Sequence, residues 1–267
     1  MYSPRTFLSF LNDLVADGLT VFSFDEAVRR SRRSRTGTAN LLRRLRDRGL
    51  VDRVRRGHYA IRQLGVLGTT AAAEDVALAV GAAFSGRSHR IGYRSALDEH
   101  DLISHPSRTI YVAVKPDGRV RSTKLSDRPL RIVLEPAAAI LVGSQQREDS
   151  WVSDIDRALL DAAARPALVG GAAVLAEAIT AAGSRANPKR LQRYAKVLGW
   201  SAGLRRLGSL ADTLHVAGLA GRLHPIVPPK GDVDLEPGAR SKSAWRDPRW
   251  RVVWGQTPKE LARVARQ

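Results

Sequence analysis

Residues 29–61 read RRSRRSRTGTANLLRRLRDRGLVDRVRRGHYAI, and the fold of this stretch decides how the rest of the chain is read. Residues 29–56 hold twelve arginines against two aspartates, a net +10 within 28 residues. Thr38, Leu41, Leu42 and Leu45 recur at helical spacing, and Gly49 suits the end of that helix. Leu50–Val54 and His58–Ile61 read as short strands joined by Arg55-Arg56-Gly57. The arginines therefore lie on a helix with an apolar face and on a hairpin tip. An unstructured basic tail would have neither, and a solvated helix hairpin would leave the leucine face without a purpose.

Upstream, Thr6–Asp17 places Phe7, Phe10, Leu11, Leu14 and Val15 on a helical stripe that Gly18 closes. A second helix starts near Phe22, with Ser23 as N-cap and Glu26 three residues on as its capping-box partner. Ser31–Ser34 is a polar turn. Three helices followed by a two-stranded hairpin within residues 1–64 make a winged helix-turn-helix, whose third helix fits the major groove of DNA. The residues expected to contact DNA are Arg32, Arg33, Arg35, Thr36, Thr38, Asn40, Arg43 and Arg44 around the third helix. Arg55, Arg56 and His58 would act from the wing. Guanidinium groups match phosphates and guanine edges, and the hydroxyls and the amide can bond base edges or phosphates.

The totals agree with a polyanionic partner. The chain has 267 residues, a net charge of +18 and a pI near 11.3, which points to nucleic acid first and an anionic membrane second. Of 44 basic residues 37 are arginine, and alanine is abundant, so a GC-rich genome contributes to the total; the clustering is the informative part. Hydrophobic residues make up 43%, enough for a folded core. Without cysteine, disulfides, thiolate chemistry and Cys-ligated zinc are excluded. The first residues, MYSPRTFLSFLNDLV, are interrupted by Ser9, Asn12 and Asp13 and do not form a signal peptide. No apolar run approaches the roughly 20 residues of a membrane span, so a cytoplasmic location without membrane contact is expected.

Residues 65–267 are expected to form a larger mixed α/β domain ending in a helical bundle, giving an α+β protein overall. Leu64–Gly68 reads as a linker and Thr69–Phe84 as an alanine-rich helix with a Thr-Thr cap. RSALDEHDLI (94–103) is a short helix, followed by strands at Thr109–Val114, Val120–Leu125 and Leu130–Leu134, with a turn at Pro116-Asp117-Gly118. Ala139–Val142 reads as a further strand, placing the mixed sheet at about 88–142. A helical part spans about 153–220. Ser153 caps its first helix, Gly170–Ala182 is the second, Asn187-Pro188 opens a third, and Leu204, Leu207, Leu210 and Leu214 stripe a fourth. A tail over 221–267 carries Trp245, Trp250 and Trp254, with Trp250–Trp254 as an edge strand.

Enzymatic readings are weaker. Gly143-Ser144 followed by Asp154-Ile155-Asp156 has the spacing of the Gly-Ser…Asp-x-Asp signature of nucleotidyltransferases, whose carboxylates hold two metals. That signature needs a helix after Gly-Ser and a strand under the acids. Gln145–Ser150 offers no apolar face, and Asp156 looks like a first-turn residue of a helix. Asp232-Val233-Asp234-Leu235-Glu236 lacks the lysine of a nuclease cluster and is flanked by Gly231 and Pro237. The six histidines (58, 89, 100, 105, 215 and 224) form no helical metal pair. The tryptophans are read as a hydrophobic plug rather than a base-stacking platform, and Arg205-Arg206 as a solvated face. No catalytic residue, cofactor or metal is expected.

Four stretches in order resemble one family. LLRRLRDRGLVDRVRRGHYAI (41–61) is similar to the winged-helix domain of AbiEi-type antitoxins, bacterial regulators from type IV toxin–antitoxin and phage-defence loci. IGYRSALDEHDL with RTIYVAV (91–102, 108–114), VSDIDRALLDAAARPALVGG (152–171) and LRRLGSLADTL (204–214) resemble that family's larger domain. The resemblance implies an autorepressor that binds inverted repeats in its own promoter. It also implies an antitoxin against a nucleotidyltransferase-like toxin encoded alongside, without requiring a direct complex. The chain departs from the family at Asp101, where glycine is usual, and at Asp156, where glutamate is favoured. Aspartate accepts the left-handed conformation better than most non-glycine residues, so Asp101 is compatible with the fold. The alternatives are a stand-alone winged-helix regulator and, more remotely, a metal-dependent nucleotidyltransferase.

Overall fold

The computed structural model describes residues 5–55, 57–61, 76–116, 124–125, 128–228 and 230–264. In chain order these form α1 (Arg5–Ala16), β1 (Val21–Ser23), α2 (Phe24–Ser31), α3 (Arg35–Asp47), β2 (Val51–Arg55), β3 (His58–Ile61) and α4 (Val76–Ala83). There follow β4 (His89–Ile91), α5 (Tyr93–Glu99), β5 (Ile110–Val114), β6 (Lys124–Leu125), β7 (Arg128–Leu134), α6 (Ala137–Ile140), β8 (Ser144–Arg147) and β9 (Ser150–Ser153). The remainder is α7 (Ile155–Ala164), α8 (Ala172–Ala182), α9 (Pro188–Leu198), α10 (Ser201–Thr213), β10 (Val233–Asp234), α11 (Ala239–Lys242), β11 (Trp245–Asp247), β12 (Val252–Trp254) and α12 (Pro258–Val264). The protein is thus mixed α+β with several sheets. The chain forms two compact units: one holds residues 1–87, 121–130 and 147–150, the other residues 88–120, 131–146 and 151–267. The expected linker at 64–68, the Thr-Thr cap and the turn residues 117 and 118 lie outside the described residues.

In the first unit Phe10, Leu11 and Leu14 of α1 pack with Phe22, Ala27, Leu41, Leu42, Leu45 and Val51. Val15, expected on the same stripe, points outward and is 54% exposed. Ser23 caps α2, its Oγ accepting from the Glu26 N–H at 3.1 Å. The Glu26 carboxylate, however, turns to Arg29 and Arg30 instead of closing the capping box. Ser34 caps α3 in the same way through the Gly37 N–H. Gly49 (φ 68°) and Gly57 (φ 81°) hold the left-handed conformations that end α3 and turn the hairpin. The hairpin gains a third strand that the sequence reading assigned to the start of a helix: β1 pairs antiparallel with β3, giving the order β1-β3-β2.

In the second unit α7 is buried over Asp156–Ala163 and packs against α5, α8, α9 and α10. Within this unit the strands follow the order β7-β5-β4-β9-β8 in a mixed sheet, with β4 antiparallel to β5 and parallel to β9. The sheet therefore continues past residue 142 into β8 and β9. Three readings are corrected. Ala137–Ile140 is helical, because Pro136 opens a turn that alanines continue. Asp154, not Ser153, caps α7, its carboxylate accepting from the Arg157 N–H at 2.7 Å. In the tail the strand is β12, Val252–Trp254, and it is central rather than an edge, lying between β10 and β11.

Candidate nucleic-acid interface

Helix α3 has two opposed faces. Thr38, Leu41, Leu42 and Leu45 are buried. Thr36, Asn40 and Arg43, three or four residues apart, are exposed on the other side with Asp47 at the far end, and Arg44 flanks them. Among the described residues, the side chains of Thr36, Asn40, Arg32, Arg33, Arg43 and Arg44 take part in no hydrogen bond or ion pair. Arg32 is exposed at φ 52° in the turn between α2 and α3.

Other arginines of the cluster are already engaged. Arg29 and Arg30 pair with Glu26, and Arg30 also with Asp17. These hydrogen bonds hold the Glu26 carboxyl below its ordinary value and raise Arg30, Asp17 contributing most to the latter. Arg35 pairs with Asp25 at 2.8 Å and lies over the Phe24 ring. Both partners in that pair are well exposed, so it exchanges readily for a phosphate.

Thr38 is a correction. It is fully buried, its hydroxyl donating to the Ser34 carbonyl at 3.0 Å and lying 2.9 Å from Ser31 Oγ. It belongs to the face that holds α3 against α2 and cannot reach DNA. The helical spacing it shares with the leucines was the signal for this. His58 is half-buried on β3 between Ser23 and Arg55. The side chain of Arg55 and all of Arg56 lie outside the described residues.

The acids that raised an enzymatic reading sit differently from a metal-binding pair. Gly143-Ser144 leads into β8, a strand where the signature has a helix. Asp154 caps α7 and accepts from Tyr194 OH at 2.8 Å. Asp156, inside the first turn, is fully buried; its Oδ1 accepts from the Asn187 N–H at 2.6 Å. Its Oδ2 lies 2.6 Å from Arg190 Nε, close enough for an ion pair but misaligned for a hydrogen bond. Burial pushes this carboxyl up, with the Asn187 N–H and Arg190 opposing.

The polar centre of the second unit is a ring of four buried charges that sequence reading missed. Arg90 Nη1 donates to Asp161 at 2.5 Å and its Nη2 to both oxygens of Glu135 at 2.9 and 3.0 Å. Arg157 donates to Asp161 at 2.7 Å and to Glu135 at 2.7 Å, closing the ring. Remaining donors reach Ser153 Oγ and the Ile140, Ala139 and Val142 carbonyls, and Tyr93 OH donates to Glu135 at 2.7 Å. Burial acts to raise Asp161, but the two guanidinium groups outweigh it and hold the carboxyl below its ordinary value. Burial pushes the Tyr93 hydroxyl up. Every charge in the ring is matched within it, which marks it as an element of the core.

Arg205 is likewise buried and Arg206 half-buried, so the pair is not a solvated face. Arg205 donates to the Trp250, Gly231 and Arg251 carbonyls, and Arg206 to those of Asp234 and Ala163. Trp250 and Trp254 are fully buried, with their ring N–H groups on Asp212 and Ser209. Trp245 packs edge-on against Trp254. Asp101 ends α5 at φ 55°, the left-handed conformation expected of it.

No family model matches the sequence, and no curated protein matches it. Among solved structures, the chain is similar to one described as the crystal structure of RV2827C protein from Mycobacterium tuberculosis. The identity is 17%, the TM-score 0.70, and the match covers 100% of this chain and 96% of that one. At that identity the likeness concerns the fold alone.

Proposed function

We propose that the protein is a DNA-binding autorepressor whose first unit acts as a winged helix, and that it serves as the antitoxin of a type IV toxin–antitoxin pair. The observation that carries the DNA reading is the outward face of α3. Thr36, Asn40 and Arg43 face solvent directly opposite the leucines, with Arg32, Arg33 and Arg44 around them and none engaged within the described residues. Such a helix can lie in a major groove while arginines on its flanks hold phosphates. The antiparallel β2–β3 hairpin that follows α3, turned at Gly57, supports reading it as the wing. The antitoxin role rests on the resemblance of residues 91–102, 108–114, 152–171 and 204–214 to AbiEi-type antitoxins. The toxin it implies is nucleotidyltransferase-like.

The direct test is a binding titration with the DNA upstream of the protein's own gene, against shuffled DNA of equal length. Selective binding is expected, and equal binding to both sinks the repressor reading. For the antitoxin role, co-expression of the full chain with the neighbouring toxin frame should restore growth; unrelieved toxicity at matched expression rejects it.

A further inference from the structure

The second unit holds a surface cleft of about 490 Å³ between the end of α7 and the β10–α11 segment. Three arginines (165, 206 and 240) and three acids (Asp232, Asp234 and Glu236) line it. Formal charges balance, but their partners do not. Asp234 is taken by Arg240 Nε at 2.5 Å. Asp232 is taken by Arg246 at 2.7 Å and Arg251 at 3.1 Å, neither of which lines the cleft. Glu236 accepts the Ala172 N–H at 2.8 Å at the start of α8. Every acid is therefore occupied.

Two cations are not. The Arg165 side chain has no ion pair or hydrogen bond among the described residues; its guanidinium lies 5.8 Å from the centre of the Tyr93 ring. Arg206 spends Nε on the Asp234 carbonyl and Nη1 on the Ala163 carbonyl, where a cation suits the negative end of α7. Its Nη2 has no acceptor within the described residues. Burial pushes Arg206 down to about 10, with Asp234 opposing and Arg205 reinforcing. It stays charged at neutral pH, but short of a counter-charge.

We infer that this cleft binds a carboxylate, held between the guanidinium groups of Arg165 and Arg206. A guanidinium fork matches the two oxygens of a carboxylate. Arg206 is already fixed by its two carbonyls, so little freedom is lost on binding. The three acids nearby repel a doubly charged phosphate and leave room for a single negative charge. The cleft is open, so the carboxylate is either a free small acid or an acidic side chain on a peptide. Occupancy of the cleft does not depend on DNA binding by α3.

Arginine Nε–H NMR signals of the full-length protein test this. Arg165→Gln and Arg206→Lys assign the two signals by their loss. The protein is titrated at constant ionic strength with acetate, inorganic phosphate, a blocked Gly-Glu-Gly peptide and its Gly-Gln-Gly counterpart. Both signals should move saturably with acetate and not with chloride or the glutamine peptide. Arg165→Gln should weaken the Arg206 response about tenfold. A matching response to the glutamate peptide identifies a peptide carboxylate as the source; a response to acetate alone identifies a free acid. Absence of saturation, equal response to the glutamine peptide, or preference for phosphate overturns the assignment. If Arg206→Lys does not fold, the Arg165→Gln comparison decides alone.

Discussion

At the scale of single residues, burial separates groups that look alike in the sequence. Thr36 and Thr38 stand two apart, one exposed and the other completely buried. Thr38→Val should cost about 1 kcal/mol of stability through its lost hydrogen bonds, read from urea unfolding. DNA affinity of the folded protein should stay unchanged. Arg43→Ala should leave stability intact and weaken promoter binding. A loss of about 1–3 kcal/mol confined to one sequence position would mark a base contact, and a uniform loss with a salt slope lower by about 1 a phosphate contact. Unaltered affinity and slope would remove Arg43 from the interface. Asp156 and Asp161 form a second contrast, both buried on α7. Asp161 has a lowered folded pKa, so it contributes stability above its unfolded value, near pH 4, that is lost as pH falls below it. Asp161→Asn removes this and leaves two buried arginines sharing one carboxylate, at a cost of about 3–5 kcal/mol. Asp156 has a raised folded pKa, so its ionised form opposes folding above that pKa and the penalty fades as pH falls through it. Asp156→Asn should therefore match or exceed the native stability at pH 7, and its advantage should vanish toward pH 4. Urea midpoints between pH 3 and 8 give both signs, and a large loss for Asp156→Asn at pH 7 would contradict the second.

At the scale of elements, close packing makes some positions intolerant of a single methyl. A Cβ on Gly208 of α10 would fall 2.1 Å from the Trp250 ring. Gly208→Ala should cost at least about 1–3 kcal/mol by overpacking, with red-shifted tryptophan emission; native emission and stability would show that the ring relocates freely. Helices α1, α2, α3, α9 and α10 were legible from local apolar spacing, glycine stops and the caps at Ser23 and Asn187. Short strands were not. β1 has three residues whose partner lies in β3, about 37 residues away in sequence, and nothing local marks such pairing. β8 reads Ser-Gln-Gln-Arg and is placed by its neighbour β9 rather than by propensity. Arg205 and Arg206 read as surface because charge normally means exposure. Their withdrawal from solvent depends on carbonyls from β10, the C-terminal end of α7 and residues 231, 250 and 251, which only the folded chain brings together. The two faces of α3 were legible in outline, since its leucines fix which side faces out, and they also consign Thr38 to the core.

At the scale of the whole molecule, the net charge of +18 and its arginine-rich cluster mean that the proposed DNA binding would be driven by counterion release. If about six arginines reach phosphates, affinity should fall roughly 10³-fold between 50 and 200 mM salt, measured by fluorescence anisotropy. A flat salt response would show that the cluster does not meet a polyanion. The four-charge ring bears on how such a chain can change over generations. Arg90, Glu135, Arg157 and Asp161 come from β4, the end of β7 and α7, and each answers two others. Loss of any one leaves its neighbours buried and unmatched, so the one-step routes through sequence space are closed at these four sites. They can be replaced only together, as oppositely charged pairs giving way to apolar ones, and relatives of this protein should carry the whole quartet or none of it.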